Sequence, residues 1–337
     1  MKDLNLIGIF KDKLTLSKLT FLTNSPLHIA VLRTTTHSPS SPPTHHHLTT
    51  LLSLGDSSRA TASILTTALI NRLHRTTNPY VALKSLFTIH HIIKHGPFIL
   101  KDQLSVFISS TNIGRNHFKL NNFNECKSAT TWMLSAWVRW YASYIENILH
   151  TSKNMSFVIS SLSLTFLERE KQQEMISSYI NFDLIKDFAS LTRVIEEMCK
   201  VPDNILVEND RLLKCIMEAL VNDYLSIVNE IVVRVVELKE RVSLLSFNDS
   251  VELSNELNRL MSCKEKSLQL FCVRKQKESV DTLWEMVEEL NGEIGMVSFS
   301  KQLGRKSCNG TESARFGDRV LRTGDSVKFA SGRLRLK

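Results

Sequence analysis

All eleven histidines of this chain fall within residues 1–150, and three are consecutive, His45, His46 and His47. Before them stand Arg33, His37, a turn holding Pro39, Pro42 and Pro43, and Thr44 at the junction. Lys11, Lys13 and Lys18 lie further upstream. Cations and hydrogen-bond donors gathered at a helix start can hold phosphate, because unsatisfied backbone N–H groups there also point outward. Imidazoles can ligate a metal, but consecutive residues do not converge on one ion without further ligands, so no metal is assigned. On composition alone a solvated His-rich linker explains the same residues, and both readings stay open at this point.

Elsewhere the simpler readings win. His90 and His91 sit inside an apolar segment and read as satisfied core histidines. Trp132, Trp137, Trp140, Tyr141 and Tyr144 read as packing. Carboxylates such as Glu285, Glu288 and Glu289 lie on the polar side of amphipathic segments and read as a solvated face. There is no GxSxG, P-loop, GxGxxG or HExxH pattern, so the chain reads as a non-enzyme without a cofactor. Six scattered cysteines with no CxxC pair fit free thiols in a reducing compartment.

The elements that must position these residues read as helices. Only 11 Gly and 7 Pro punctuate 337 residues, which favours long helices joined by short loops. The Pro-rich stretch 34–44 is a true break, because proline removes a backbone donor and disfavours helix in the residue before it. A short helix carrying Leu48, Leu51, Leu52 and Leu54 follows it. Residues 58–75 read as a helix opened by Ser57 or Ser58. Val81–His95 is apolar on nearly every side, as expected of a helix central to an array, and Gly96-Pro97 stops it. Leu134, Trp137, Tyr141, Tyr144 and Ile148 recur at helical spacing, as do Leu213, Ile216, Leu220, Tyr224, Ile227, Ile231 and Val235. Leu253, Leu257 and Leu260 mark another helix, and Val280, Leu283, Val287 and Leu290 a last one. No strand-like alternation persists, and no fixed repeat of the tetratricopeptide or ankyrin kind occurs.

Charge is unevenly spread. Residues 1–150 carry 15 Lys and Arg against 6 Asp and Glu, residues 151–297 carry 17 against 25, and residues 298–337 carry 10 against 3. A basic first half beside an acidic second half points to an anionic partner at one end, either nucleic acid or the anionic cytoplasmic leaflet. The basic residues are not interleaved with exposed-looking aromatics and no nucleic-acid motif occurs, so nucleic acid is not expected. No apolar run of about 18 residues could span a bilayer, and Met1–Lys18 lacks a signal-peptide core, so a cytoplasmic protein is expected.

Three segments carry a family resemblance. AVLRTTTH followed by PPTHHHLTTLLSLG (Ala30–Gly55), YVALKSLFTIHHIIKHG (Tyr80–Gly96) and WVRWYASYIENIL (Trp137–Leu149) stand in the order and spacing of the ANTH domain. Together they resemble the short plant clathrin-assembly proteins of that family. The resemblance implies a right-handed superhelical, solenoid-like array of about 9–11 helices with no significant β-sheet, of the ANTH/ENTH-like kind. It implies binding of phosphatidylinositol 4,5-bisphosphate by a lysine and a later Lys-x-Lys-His cluster. Arg33 stands where the first lysine would be. The cluster falls on Thr44, His45, His46 and His47, of which only His47 keeps its family identity. With two lysines replaced, weaker binding is expected, strengthening as pH falls toward 6.

The domain is therefore expected over 1–297, with its lipid-binding part in about 1–150, and a basic disordered tail over 298–337. Arg33, His37, Thr44, His45, His46, His47 and Lys18 are the expected lipid-binding residues. The resemblance further implies clathrin and adaptor proteins as partners, SNARE helices as cargo, and a peripheral location at coated pits, coated vesicles and the Golgi apparatus. Leu244-Leu245-Ser246-Phe247-Asn248 falls short of a clathrin-binding box and reads as a helix end. A helical scaffold for protein partners, or secondarily for nucleic acid, without lipid affinity, is the alternative.

Overall fold

The computed structural model describes residues 2–18, 25–110, 118–154, 166–202, 204–271 and 277–308. Thirteen α-helices and no strand are present among the described residues. They are α1 (Lys2–Lys18), α2 (Pro26–Thr34), α3 (His45–Gly55), α4 (Arg59–Arg75), α5 (Pro79–His95), α6 (Phe98–Ser110) and α7 (Ala129–Asn154). Then come α8 (Phe166–Ser177), α9 (Asn181–Met198), α10 (Arg211–Glu240), α11 (Phe247–Ser262), α12 (Lys264–Phe271) and α13 (Lys277–Cys308). The count exceeds the expected 9–11 because short elements such as α8 and α12, too brief to show a clear period, are separate helices.

Local chemistry sets the boundaries. Ser58 caps α4 in a capping box with Thr61. Asn78 accepts the N–H groups of Tyr80 and Val81, and Pro79 opens α5 with its φ already helical. Asp210 accepts the N–H groups of Leu212 and Leu213 at the start of α10. Ser246 and Asp249 form a second box opening α11, so the stretch around Leu244–Asn248 is a helix junction, with Leu245 in the core.

Helices pack chiefly on near neighbours: α2 on α3, α4 on α5 and α6, α5 on α7, α7 on α9, α9 on α10 and α11, and α13 on α10 and α11. The periodic positions are the ones that become core. Leu213, Ile216, Leu220, Tyr224, Ile227, Ile231 and Val235 of α10 are all wholly buried. Truncating one of them, for example Leu220→Ala, is expected to cost about 2–5 kcal/mol.

Two expectations are corrected by the structure. Trp132 is 58% exposed and does not belong to the aromatic packing, whereas Trp137, Trp140, Tyr141 and Tyr144 are buried. The polar side of α10 is not all solvated: Asp223, Glu230 and Arg234 are buried, and each sits in an ion pair. The last helix spans Lys277–Cys308, and residues 309–337 of the expected tail lie outside the described residues.

Candidate functional site

The short helix α2 ends in Arg33, whose side chain is exposed. The chain then turns through a loop that touches Lys84 of α5 and enters α3 at Thr44. Thr44 is the N-cap, with β-region backbone and its hydroxyl accepting His47 N–H at 3.3 Å. Leu48 N–H is taken by the Thr44 carbonyl at 3.1 Å. The N–H groups of His45 and His46 are therefore the first-turn donors left to face outward. His45 and His46 are exposed and His47 is half-buried. The His46 and His47 rings lie 5.9 Å apart.

Arg33 belongs to this group in space as well as in sequence. Burial, then the positive charge of Arg33, then that of His46, hold the His47 imidazole below its ordinary pKa. Near neutral pH His47 is therefore uncharged, and charging it in the empty protein is unfavourable. An anion placed among the three would reverse the sign of that interaction and draw the proton on.

Loop position is set by a residue that the sequence reading passed over. Lys84, inside the apolar helix α5, is buried, and its ammonium lies 3.0 Å from both the carbonyl and the hydroxyl of Thr36. It lies 2.6 Å from the Ser38 carbonyl and 3.0 Å from the Ser38 hydroxyl. Burial lowers its pKa to about 8, opposed by the charges of Asp12 and Asp210. A lysine in an otherwise apolar helix was the available signal. Ser40 adds a second anchor by accepting Arg211 N–H at 3.0 Å.

The other expected site residues are placed differently. His37 is half-buried and committed to Asp12, with its Nδ1 2.7 Å from Oδ1 and its backbone N–H donating to Oδ2 at 2.7 Å. Arg72 joins them, donating to Asp12 at 3.2 Å and to the Thr35 carbonyl at 3.1 Å. His37 thus ties α1 to the loop and is not presented with the α3 histidines. Thr44 acts through its cap. Lys18, in the last turn of α1, is exposed.

Residues 26–278 match the family model for the ANTH domain, three quarters of the chain. The chain belongs to the ANTH domain family. Among similar proteins of Arabidopsis thaliana, Putative clathrin assembly protein At4g40080 is 43% identical over 98% of this chain and 93% of its own length. Putative clathrin assembly protein At5g10410 is 30% identical over 86% of this chain and 85% of its own. Putative clathrin assembly protein At5g65370 is 25% identical over 84% and 96%.

In this ANTH domain the paired histidines of α5 part company. His90 is buried, its Nδ1 2.8 Å from the Tyr141 hydroxyl and its Nε2 2.7 Å from Asp223. Lys94 lies 2.7 Å from the other Asp223 oxygen, and the Tyr144 hydroxyl donates to Asp223 at 2.6 Å. Although burial opposes it, the charges of His90 and Lys94 hold the Asp223 carboxyl far below the usual range. This network joins α5, α7 and α10, and His90, Lys94 and Asp223 line a 260 Å³ cleft together with His91 and His95. His91 is pushed down to about 4 by burial, then by the neighbouring histidines. Among the described residues no group of three His, Cys, Asp or Glu side chains is placed to hold a metal, and no helix is long and apolar enough to cross a membrane.

Proposed function

We propose that this ANTH domain docks reversibly on phosphoinositide-bearing membrane through Arg33 and the first turn of α3, and serves as an adaptor in clathrin coat assembly. One observation carries the membrane part of this reading. Arg33, His46 and His47 lie within electrostatic reach of one another at a capped helix start whose outward N–H groups can also take a phosphate. The adaptor part rests on family membership and on the names of the relatives. Phosphatidylinositol 4,5-bisphosphate is the preferred lipid in this reading, and clathrin and adaptor proteins are the partners. SNARE helices are the cargo, and coated pits, coated vesicles and the Golgi apparatus are the locations. The action is binding without turnover.

The test is co-sedimentation with vesicles containing phosphatidylinositol 4,5-bisphosphate or charge-matched phosphatidylserine, using the wild type and an Arg33→Glu, His46→Glu, His47→Glu variant. Preference for the phosphoinositide that disappears in the variant supports the reading. Equal binding to both lipids rejects it in favour of nonspecific attraction by the basic tail, and no binding to either rejects it and leaves the fold to serve a protein partner.

A further inference from the structure

Two of the cysteines scattered through the sequence meet in the fold, at the C-terminal ends of two packed helices. Cys199 is the C-cap of α9 and Cys263 the C-cap of α11, 64 residues further along the chain. Helices α9 and α11 pack directly on each other. Each cysteine is 7% exposed and is flanked by an exposed residue, Lys200 after the first and Ser262 before the second. The pair therefore lies just beneath the surface. The Cys199 thiol points at the other cap, its Sγ 3.8 Å from the Cys263 carbonyl oxygen. The Cys263 Sγ lies 3.6 Å from the Arg259 carbonyl oxygen and 4.0 Å from the Ser262 hydroxyl.

An ion pair one turn back fixes this approach. Glu196 stands three residues before Cys199 and Arg259 four before Cys263, one turn earlier on each helix. Arg259 Nε donates to Glu196 Oε1 at 3.0 Å and Nη2 to Oε2 at 2.5 Å, while Nη1 holds both Glu256 oxygens at 2.7 Å. A bidentate pair sets orientation as well as distance, so the two caps are held face to face. The thiols are chemically unequal. Cys263 is drawn down to about 7, first by the hydrogen bond from the Cys199 thiol and then, against burial and the Glu196 charge, by the Ser262 hydroxyl and the Arg259 charge. The same bond, with burial, pushes Cys199 up. A thiolate is the nucleophile, and a second thiol beside it can resolve a sulfenic acid.

We propose that Cys199 and Cys263 are a site of reversible oxidation by peroxide, closing to a disulfide that ties the end of α9 to the end of α11. The Cys263 thiolate attacks one oxygen of hydrogen peroxide and the O–O bond breaks. Hydroxide leaves, takes up the proton that the thiol had released, and departs as water, so that Cys263 becomes a sulfenic acid. The Cys199 sulfur then attacks the Cys263 sulfur, the S–O bond breaks, and the hydroxyl group departs as water with the Cys199 proton. The two thiols give up two electrons, and the peroxide is reduced to two waters. A dithiol reductant reverses the reaction by exchange. The segment closed by the bond contains the whole of α10, so the disulfide would restrict a long stretch of the unfolded chain.

Peptide mapping by mass spectrometry tests this on the full chain, oxidised with hydrogen peroxide and digested without reductant. The expected product is a peptide pair joined through Cys199 and Cys263, lighter by two hydrogens and separated by dithiothreitol. Brief treatment of the reduced protein with iodoacetamide at pH 7.5 should label Cys263 about tenfold or more faster than Cys199. Oxidation should raise Tm by about 4–10 °C, and reduction should restore it. Cys199→Ser should lose both the joined peptide and the rise, whereas Cys126→Ser, at an exposed cysteine, should keep both. The joined peptide is read in the unaltered protein, so the test stands even where Cys199→Ser does not fold. No joined peptide, a joined peptide formed only in urea, labelling of Cys199 as fast as Cys263, or an oxidised protein with no rise in Tm would overturn the proposal.

Discussion

Lys84→Met separates the stability of this domain from the geometry of its site. The substitution removes the ammonium that holds Thr36 and Ser38 and replaces it with an apolar chain of similar length. The two hydroxyls can turn to other partners, but the two loop carbonyls lose their donor, at about 1–3 kcal/mol each when buried. Against this stands the cost of keeping a charge inside. The fall of Lys84 from 10.5 to about 8 corresponds to an unfavourable contribution on the order of 3 kcal/mol, which Met relieves. The two effects nearly cancel, so the change in global stability is expected to stay below about 3 kcal/mol, a Tm shift of several degrees at most. The loop over residues 36–44 loses one of its two anchors all the same, keeping only Ser40 on Arg211, and the entry into α3 loosens with it.

Hydrogen exchange and vesicle binding read this directly. Amides of 36–44 should exchange faster in Lys84→Met and phosphoinositide binding should fall, while the unfolding midpoint barely moves. The pH dependence supplies an internal check of sign. Because the folded pKa lies below the unfolded 10.5, the unfolded chain holds the proton more tightly between about pH 8 and 10.5. The contribution of this group to stability therefore rises with pH across that window, even as the clamp loses its charge. Raising the wild type from pH 7 to 9 should loosen the loop beyond ordinary base catalysis without lowering stability through this residue. Wild-type loop protection and vesicle binding in Lys84→Met would refute the reasoning.

Three further outcomes are expected. Asp223→Ala removes the acceptor that His90, Lys94 and Tyr144 share, and should cost about 3–5 kcal/mol, readable as a drop in Tm of roughly 5–10 °C. Thr44→Ala removes the cap of α3, at about 1 kcal/mol of local stability, and should weaken vesicle binding with no change in the far-ultraviolet circular dichroism spectrum. Replacing His46 and His47 by Lys should raise phosphoinositide binding at pH 7.5 and flatten its pH profile. In the wild type, by contrast, binding should climb as pH falls through 6, with His47 charging later than a free imidazole because its pKa is lowered.

Much of the fold was legible because periodicity and burial are one signal seen twice. Every position in the α10 pattern from Leu213 to Val235 is in the core, as are Leu253, Leu257, Leu260, Val280, Leu283, Val287 and Leu290. Trp132 misled because an aromatic one turn before a buried face shares its composition but not its direction. The site was less legible because its placement depends on partners far away in the chain. Nothing local marks His37 as the partner of Asp12, 25 residues upstream, or Lys84 as the holder of a loop 46 residues before it. Asp223 looked like part of a solvated acidic face for the same reason: its cationic partners come from α5. Charge content predicts a surface only when no opposite charge arrives by tertiary packing.

That division bears on how binding would be regulated. The cations inside the scaffold, Lys84, Lys94 and Arg234, are each tied to oxygens that hold their position, through Thr36 and Ser38, Asp223, and Glu230 with Asp187. Across pH 6 to 7.5 Lys84, with its pKa at about 8, is mostly protonated, and the Asp223 carboxyl stays ionised, so these two anchors of the scaffold keep most of their charge. At the α3 site Arg33 is the fixed cation, and the three residues that follow Thr44 are imidazoles. The imidazoles therefore stand where an anion would dock, and a bound phosphate would favour the charged form of His47. Binding can then be tuned by small changes in acidity with no change of fold, a coupling that the all-lysine version of the same site would lack. The decisive comparison is vesicle binding against near-ultraviolet circular dichroism over pH 6 to 7.5. Binding that varies while the tertiary signal stays constant assigns the pH dependence to the imidazoles, and a tertiary signal that moves in step with binding assigns it to the scaffold.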